Sequence, residues 1–183
     1  MPKTTTPAPP ADAVARDAHW AAKLARLQNR QRPTATLTIC DTPAVRQALA
    51  EARQRHQRAV HNAERSPEEP VLQAALADAE AKLTAAQAAF DAEAIVLTFR
   101  ALSRLEFEAL KAAHPPTEQG AEDGQIVDVE SLGPELIAAT SVDGITPDAA
   151  RGFLDTWAEA EAVALFNTAW DLHSEVRMDL GKG

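Results

Sequence analysis

Histidine and cysteine are the residue types in this 183-residue chain that most readily bind metals or act in catalysis. His56 and His61 are five residues apart, a spacing that places them on different faces of a helix. Ligands of a metal must converge on one point, so this pair does not predict a metal site. Cys40, the single cysteine, follows a predicted strand and is expected to be a small buried apolar group, not a nucleophile. The histidines, His19, His56, His61, His114 and His173, are otherwise scattered along the chain.

Sequence motifs of the common enzyme classes are absent. The chain contains no GxGxxG or Walker phosphate loop, no GxSxG, no HExxH and no paired cysteines. Carboxylates are abundant, but none lies in an apolar run of the kind that tunes an active-site acid. We therefore predict that the protein is not an enzyme and that it has no catalytic residue, no metal ligand and no cofactor.

Arginines in the first half of the chain raise the question of nucleic-acid binding. Arg53, Arg55 and Arg58, with Arg46 and Arg65, spread around a predicted helix instead of forming one stripe. No aromatic residues interleave with them as a platform for stacked bases. The acidic net charge of −9 also opposes binding to a polyanion. We predict no nucleic-acid partner, and a small DNA-associated regulator is kept only as an alternative.

The charge is unevenly distributed between the two halves. Residues 16–65 contain ten basic and four acidic residues, a net of +6, whereas residues 106–161 contain two basic and thirteen acidic residues, a net of −11. Such a division indicates that one half faces the other or that two faces serve different partners. Solvated helix surfaces that differ by chance explain it equally well.

Four large aromatic residues near the carboxyl end are the best candidates for a binding surface. Phe153, Trp157, Phe166 and Trp170 lie within twenty residues of one another in a chain with only 4% aromatic residues. Such residues are frequent anchors for a partner helix. The alternative is that they fill the core of a small helical unit, which is the commoner role for any one of them.

Targeting and membrane signals are not seen. The segment MPKTTTPAPP lacks the apolar region of a signal peptide, and no run approaches the length of a transmembrane helix. A single cysteine fits a reducing compartment. A cytosolic protein without a membrane partner is expected.

Four parts are predicted along the chain. They are a Thr/Pro/Ala-rich disordered tail, an amino-terminal helix, a strand–hairpin–strand unit and a carboxyl-terminal helical unit, over residues 1–11, 12–33, 34–102 and 103–177. Few glycines and many alanines favour closely packed helices over a bulky core. The fold class is therefore mostly α, with an antiparallel helical hairpin flanked by a short two-stranded β ribbon and followed by a small helical unit.

The hairpin is predicted from two apolar stripes at spacings of three and four. Thr42-Pro43 opens the first helix, SPEEP at 66–70 separates the two, and the flanking strands at 34–40 and 95–99 are expected to pair antiparallel at the hairpin base. Ile95, Leu97 and Phe99 should share one face of the second strand. The first stripe is Val45, Ala48, Leu49, Ala52, His56, Ala59, Val60 and Ala63, and the second is Leu72, Ala75 or Leu76, Ala79, Leu83, Ala86 and Phe90.

A helix at 104–113 has signals at both ends. Ser103 and Glu106 have the spacing of a capping box, and Leu102 and Phe107 that of a hydrophobic staple. The prolines of HPP forbid continuation beyond 114–116.

Further helices are predicted after an acidic loop at 117–130. The first lies near 132–140, and the turn SVDGI follows it. Thr146-Pro147-Asp148 opens the next, after which the chain is expected to stay helical to about residue 177. Ala158 is not a capping residue, so the sequence leaves open whether the helices on either side of it are continuous.

The order of these segments resembles a known family. A strand ending in FRAL (99–102), the capped helix LEFEALKAAHPPT (105–117), a variable acidic loop, LGPELIAATSVDGITPDAARGFLDTW (132–157) and EAVALFNTAW (161–170) follow one another. Residues 97–173 thereby resemble the tail assembly chaperones of long-tailed phages that infect actinobacteria. Family members tend to place a capping residue after the Trp, where this chain has Ala158.

This resemblance implies a non-enzymatic role. Such chaperones coat the long, apolar, helical tape-measure protein in the host bacterial cytoplasm until tail-tube subunits assemble around it, and they are absent from the mature virion. The resemblance implies the tape-measure protein, further copies of the chain and a frameshifted longer form as partners. Gly181-Lys182-Gly183 can be encoded by a purine run suited to slippage. The alternative from another class is a structural tail-completion or connector protein of the virion.

Overall fold

The computed structural model describes residues 20–174. These residues belong to two compact units, with the boundary in the sequence between Pro33 and Thr34. The protein is mostly α with one two-stranded sheet, as predicted. The predicted tail at 1–11, the first part of the amino-terminal helix at 12–19 and the end of the last predicted helix at 175–177 lie outside the described residues. No helix in the described part of the chain is both long and apolar enough to cross a membrane.

The amino-terminal unit contains helix α1, Trp20–Gln28. The helix ends well before Pro33, where the sequence predicted its end. The side chain of Asn29 donates a hydrogen bond to the carbonyl of Ala25 at 2.8 Å. Asparagine competes with the backbone for hydrogen bonds in this way, which favours a helix end over further helical turns.

The second unit begins with the ribbon of strands β1, Thr34–Ile39, and β2, Ile95–Arg100. They pair antiparallel from Thr34 opposite Arg100 to Ile39 opposite Ile95, which confirms the predicted pairing. Alternate residues of β1 are half-buried because successive side chains point to opposite faces of a strand. Ile95, Leu97 and Phe99 are alternate residues of β2 and share one face, but their burial differs: Ile95, at the end of the ribbon next to the hairpin, is 57% exposed, whereas Phe99 is fully buried.

The free edge of β2 is covered by the segment after helix α6, Val129–Thr140. The amide of Val142 donates to the carbonyl of Thr98 at 2.8 Å, and the amide of Thr98 donates to the carboxylate of Asp143 at 2.6 Å. These bonds satisfy backbone groups that an isolated ribbon would leave to water, and they anchor the ribbon to the carboxyl-terminal helices.

The hairpin consists of α2, Pro43–Arg65, and α3, Pro70–Glu93. Its seam is the predicted one, with Leu49, Ala52, Ala63 and Ala79 buried. Small side chains at these positions let the two helix backbones approach closely. Two details of the prediction are wrong. Ala48 is exposed, and the hydroxyl of Thr42 makes no capping bond although Thr42 occupies the N-cap position.

Other described elements contact the hairpin only near its base. Each helix is about 35 Å long at 1.5 Å per residue. Along that length the two helices pack on each other, and Arg53 bridges them by donating to the side chain of Gln87 at 3.0 Å. Of the two predicted alternatives, Leu76 is the half-buried residue and Ala75 is exposed.

Helix α6 lies at the centre of the core. Its buried residues contact Phe99 of the ribbon and Leu165 of the last helix, and helix α4, Arg104–Ala113, packs beside it. The capping box predicted for α4 is present: the Ser103 side chain accepts from the amide of Glu106, and the Glu106 side chain accepts from the amide of Ser103. The buried core comprises Phe99, Ala101, Val127, Leu132, Leu136, Ile137, Ala150, Leu165, Ala169 and Leu172.

The predicted acidic loop at 117–130 is wrong in part. It contains the short helix α5, Glu118–Glu122, and the start of α6. The side chain of Thr117 caps α5 by accepting from the amide of Gly120, and Asp128 caps α6 by accepting from the amide of Glu130. Two capping residues therefore begin helices in a stretch whose acidic composition indicated a loop.

The final helices are α7, Pro147–Thr156, and α8, Glu159–Asp171. The predicted cap is present, because the hydroxyl of Thr146 accepts from the amide of Ala149 at 3.2 Å. The last helix ends at Asp171, before the predicted end near residue 177. The sequence left open whether the helices on either side of Ala158 are continuous, and they are not. Trp157 and Ala158 adopt extended backbone conformations that separate α7 from α8. Residues 34–102 and 103–174 belong to one compact unit, since the ribbon contributes to the same core as the helices.

Replacement of Phe99 tests this shared core. We expect Phe99→Ala to lower the free energy of unfolding by about 3–5 kcal/mol, because it removes a buried aromatic ring and leaves a cavity. Urea denaturation followed by circular dichroism measures the change. Ile95→Ala in the same strand is the matched control and should cost less than about 1 kcal/mol, since Ile95 is exposed. Equal losses in the two variants would contradict the assignment of Phe99 to the core.

Candidate functional site

An open apolar groove lies between α6, α7 and α8 and is the best candidate for a binding site. Its volume is about 460 Å³, within the range of sites that hold ligand groups or side chains. Val129 and Val163 in its walls are half exposed, at 46% and 51%. Exposed apolar residues that gather in a concave surface are more informative than scattered ones. The lining residues are Val129, Glu130, Pro134, Arg151, Leu154, Asp155, Ala162, Val163 and Phe166.

The floor of the groove depends on a close contact at Gly133. A side-chain carbon at this position would lie 3.2 Å from the Cδ1 atom of Leu154 and 3.5 Å from the Cδ2 atom of Phe166. Glycine therefore lets α6 approach α7 and α8 at the same level. Pro134 follows within the helix and is itself buried, so its ring adds a rigid apolar surface to the groove.

The break between α7 and α8 forms the opposite wall. Trp157 has a ψ of 163° and Ala158 a ψ of 143°, both far from the helical value. A continuous helix would carry Leu154 and Val163 along one straight axis. Because the chain turns at these two residues, Leu154 and Val163 line the same concave surface. Ala158 makes no side-chain capping bond, so packing of the two helices on α6 and the ribbon, and not a cap, accounts for the turn.

Charged side chains surround the apolar part of the groove. Glu130, Arg151 and Asp155 line it together with the apolar residues. Two carboxylates against one guanidinium give this rim a net negative charge, within a segment that is strongly acidic as a whole. The groove can hold an apolar side chain at its floor and attract basic groups at its rim.

The four predicted aromatic residues form two stacked pairs. Phe153 stacks on Trp157 with ring centroids 4.9 Å apart, and Phe166 stacks on Trp170 at 5.7 Å. All four are half-buried and pack against the core. Only Phe166 lines the groove, while Trp170 makes an edge contact with Phe107 of α4 at 5.4 Å. The structure thus does not bring the four residues together on one binding surface.

A second, smaller cavity of about 240 Å³ contains Trp157. It lies between the ribbon, the hairpin base and α8. Phe90 of α3 and Ala164 of α8 line this cavity together with residues 37–39 of β1. Cys40 is buried beside it, as predicted for a small apolar residue.

Aliphatic residues of the groove were missed at the sequence level. Val129 was assigned to the acidic loop, and Val163 was assigned to the last helical stretch without a role in binding. The signal that could have revealed them is the pair Gly133-Pro134 inside an otherwise helical run. Glycine and proline are costly in a helix interior and therefore indicate a packing reason.

His173 links the last helix to the start of α4. Its Nε2 atom accepts a hydrogen bond from the amide of Leu102 at 2.9 Å, and its ring stacks on Phe107 with centroids 4.0 Å apart. An Nε2 acceptor requires the neutral ring with its proton on Nδ1, which lies 3.3 Å from the carbonyl of Trp170. Burial lowers the pKa of His173 from its ordinary 6.5, and the charge of Lys111 adds to this effect.

Three of the other candidate residues have partners within the fold. Arg55 pairs with Glu51 on its own helix at 2.6 Å, and the Nδ1 atom of His114 lies 3.0 Å from the hydroxyl of Ser131. The Nε2 atom of His56 lies 3.9 Å from a carboxylate oxygen of Glu80 across the hairpin. Among residues 20–174, no group of three or more His, Cys, Asp or Glu is placed to hold a metal ion.

Comparison of the chain with protein-family models, with curated proteins and with solved structures gives no significant match.

The pH dependence of stability tests the role of His173. Because its pKa is lowered in the folded state, the unfolded chain takes up a proton first as the pH falls below about 6.5. We expect the free energy of unfolding to decrease from there until the folded-state pKa is reached. His173→Gln should flatten this dependence, measured by urea denaturation between pH 7.5 and about pH 5. Leu105→Gln, at a position of α4 that is 70% exposed, is the control and should leave the wild-type slope unchanged because it removes no titratable group. An unaltered slope in His173→Gln would contradict the neutral, half-buried ring.

Proposed function

We propose that this protein is a phage tail assembly chaperone, which binds the tape-measure protein and keeps it soluble during tail morphogenesis. The observation that carries the proposal is the open apolar groove between α6, α7 and α8. A long helical client exposes apolar stripes that would otherwise drive its aggregation, and a groove of this kind covers such a stripe. The interaction makes and breaks no covalent bond.

The sequence resemblance supports the same assignment. The two segments that carry most of it, 132–157 and 161–170, supply the greater part of the groove: Pro134, Leu154 and Phe166 all lie within them. The part of the chain that resembles tail assembly chaperones is therefore also the part that exposes a concave apolar surface.

Binding follows from the chemistry of the lining. Apolar side chains of the client, three or four residues apart on one helix face, enter between Val129 and Val163 and reach Phe166. Basic groups beside that stripe are attracted to Glu130 and Asp155 at the rim. Such contacts are reversible, as a chaperone requires when tube subunits replace it around the client.

The proposal has corollaries for location and partners. The protein acts in the host bacterial cytoplasm, assembles with further copies of itself and with a frameshifted longer form, and is absent from the mature virion. A structural tail-completion or connector protein is the alternative. Mass spectrometry of purified particles distinguishes the two, because a structural component would be present in them in stoichiometric amounts.

Co-expression with the tape-measure protein encoded by the same phage tests the proposal. We expect a soluble complex that co-purifies through a tag on either protein. Val163→Glu should weaken binding at least about tenfold, because it places a carboxylate where the client buries apolar surface. Titration monitored by fluorescence anisotropy of labelled tape-measure segments measures the change.

Val71→Glu is the matched control. It makes the same chemical change at a residue of α3 that is 77% exposed, outside the groove, so client binding should match that of the wild-type protein. Separate purification of the two wild-type proteins at micromolar concentrations, or equal binding by Val163→Glu and Val71→Glu, would rule out the groove as the client site.

A further inference from the structure

Helix α1 carries a partly exposed apolar stripe. Trp20, Leu24 and Leu27 lie at positions i, i+4 and i+7, one face of a helix, and are 48%, 38% and 53% exposed. No residue of α1 is buried. This spacing is that of a helix that inserts anchors into a groove on another molecule.

Basic residues accompany the stripe. Lys23, Arg26 and Arg30 line a shallow cavity together with Trp20 and Leu27. Residues 20–33 contain no acidic residue. The helix is therefore both apolar and cationic on the same side.

The groove between α6, α7 and α8 has the complementary character. Its floor is apolar at Pro134 and Phe166, and the two carboxylates of its rim, with Arg151 between the same helices, leave it a net negative charge. Residues 106–161 around it have a net charge of −11. Opposite charge around matching apolar surfaces is the arrangement of specific protein contacts.

We propose that α1 of one copy docks in this groove of a second copy, with Trp20, Leu24 and Leu27 against its floor. The contact joins two different surfaces, so it is heterologous. Repetition of a heterologous contact produces head-to-tail rings or open chains, not a closed twofold dimer.

A contact between two copies differs from the same contact within one chain in its dependence on concentration. A contact within one chain would leave the protein monomeric at every concentration, whereas the proposed contact predicts self-association.

This contact uses the groove of the proposed function but requires no client. If both assignments are correct, a tape-measure helix and α1 of a neighbouring copy compete for one surface. Removal of α1 from the groove would then favour the client, while a change in the groove would weaken both contacts. The two proposals can therefore fail separately.

Sedimentation velocity of the purified full chain tests the contact. We expect the wild-type protein to self-associate with concentration, up to about 100 μM, and to dissociate as salt is raised. Trp20→Glu and Val163→Glu should each weaken self-association at least about tenfold. An equimolar mixture of the two variants should form a one-to-one dimer, because Val163→Glu retains a functional α1 and Trp20→Glu retains a functional groove.

Val71→Glu serves again as the control and should associate like the wild-type chain. Circular dichroism shows whether each variant is folded, and Asp155→Arg at the rim replaces Val163→Glu if that variant is not. A wild-type protein that stays monomeric, a Trp20→Glu variant that associates normally, or a mixture that remains monomeric would each overturn the proposal. Trp20→Glu should still bind the tape-measure protein, which separates this contact from the client site.

Discussion

The close approach of α6 to two helices at once is the constraint on which the rest of the carboxyl-terminal arrangement depends. A Cβ atom at Gly133 would lie 3.2 Å from the Cδ1 atom of Leu154, a tight contact, and 3.5 Å from Phe166, an ordinary one. Glycine at this crossing lets the three helices meet at one level without displacing Leu154. The groove is the surface that remains open beside this crossing, and Pro134 keeps that part of α6 rigid.

The ribbon connects this helical assembly to the hairpin. Phe99 is buried in the core through β2, and the same strand is bonded on its other edge by the segment at 141–143. A pair of short strands is marginally stable in water, so the ribbon requires these contacts. The start of α2 is fixed by β1, which precedes it, and the end of α3 is fixed by β2, which follows it. One buried aromatic ring thus helps to orient two helices of more than twenty residues each.

Periodic and capped elements of this fold could be predicted from the sequence. The helix at 104–113 was predicted to the residue, because Ser103, Glu106 and the prolines after His114 act locally. The hairpin seam followed from the spacing of its alanines, and the antiparallel ribbon followed from the hairpin. What the sequence left open was decided by packing at a distance: the exposure of Ile95 at the ribbon end and the turn at Trp157 and Ala158 have no local signal.

The candidate site was less predictable than the fold. Aromatic residues were the natural candidates, but their stacking partners lie in the core, so Phe153 and Trp170 serve mainly as packing groups. The apolar part of the groove is instead lined mainly by aliphatic residues, with Phe166, from three consecutive helices. No periodicity within a single helix indicates such a surface, since it exists only after α6, α7 and α8 have packed.

The alanine seam has a consequence for motion. Because other described elements contact the hairpin only at its base, each further turn of α2 and α3 is held by small side chains that bury little area. The far end, near SPEEP, therefore belongs to the low-stability part of the native ensemble and can open and reclose while the core stays folded. Amide protons should exchange fastest at that tip and progressively more slowly toward the ribbon. The free energy of local opening therefore increases along the hairpin from its tip to its base.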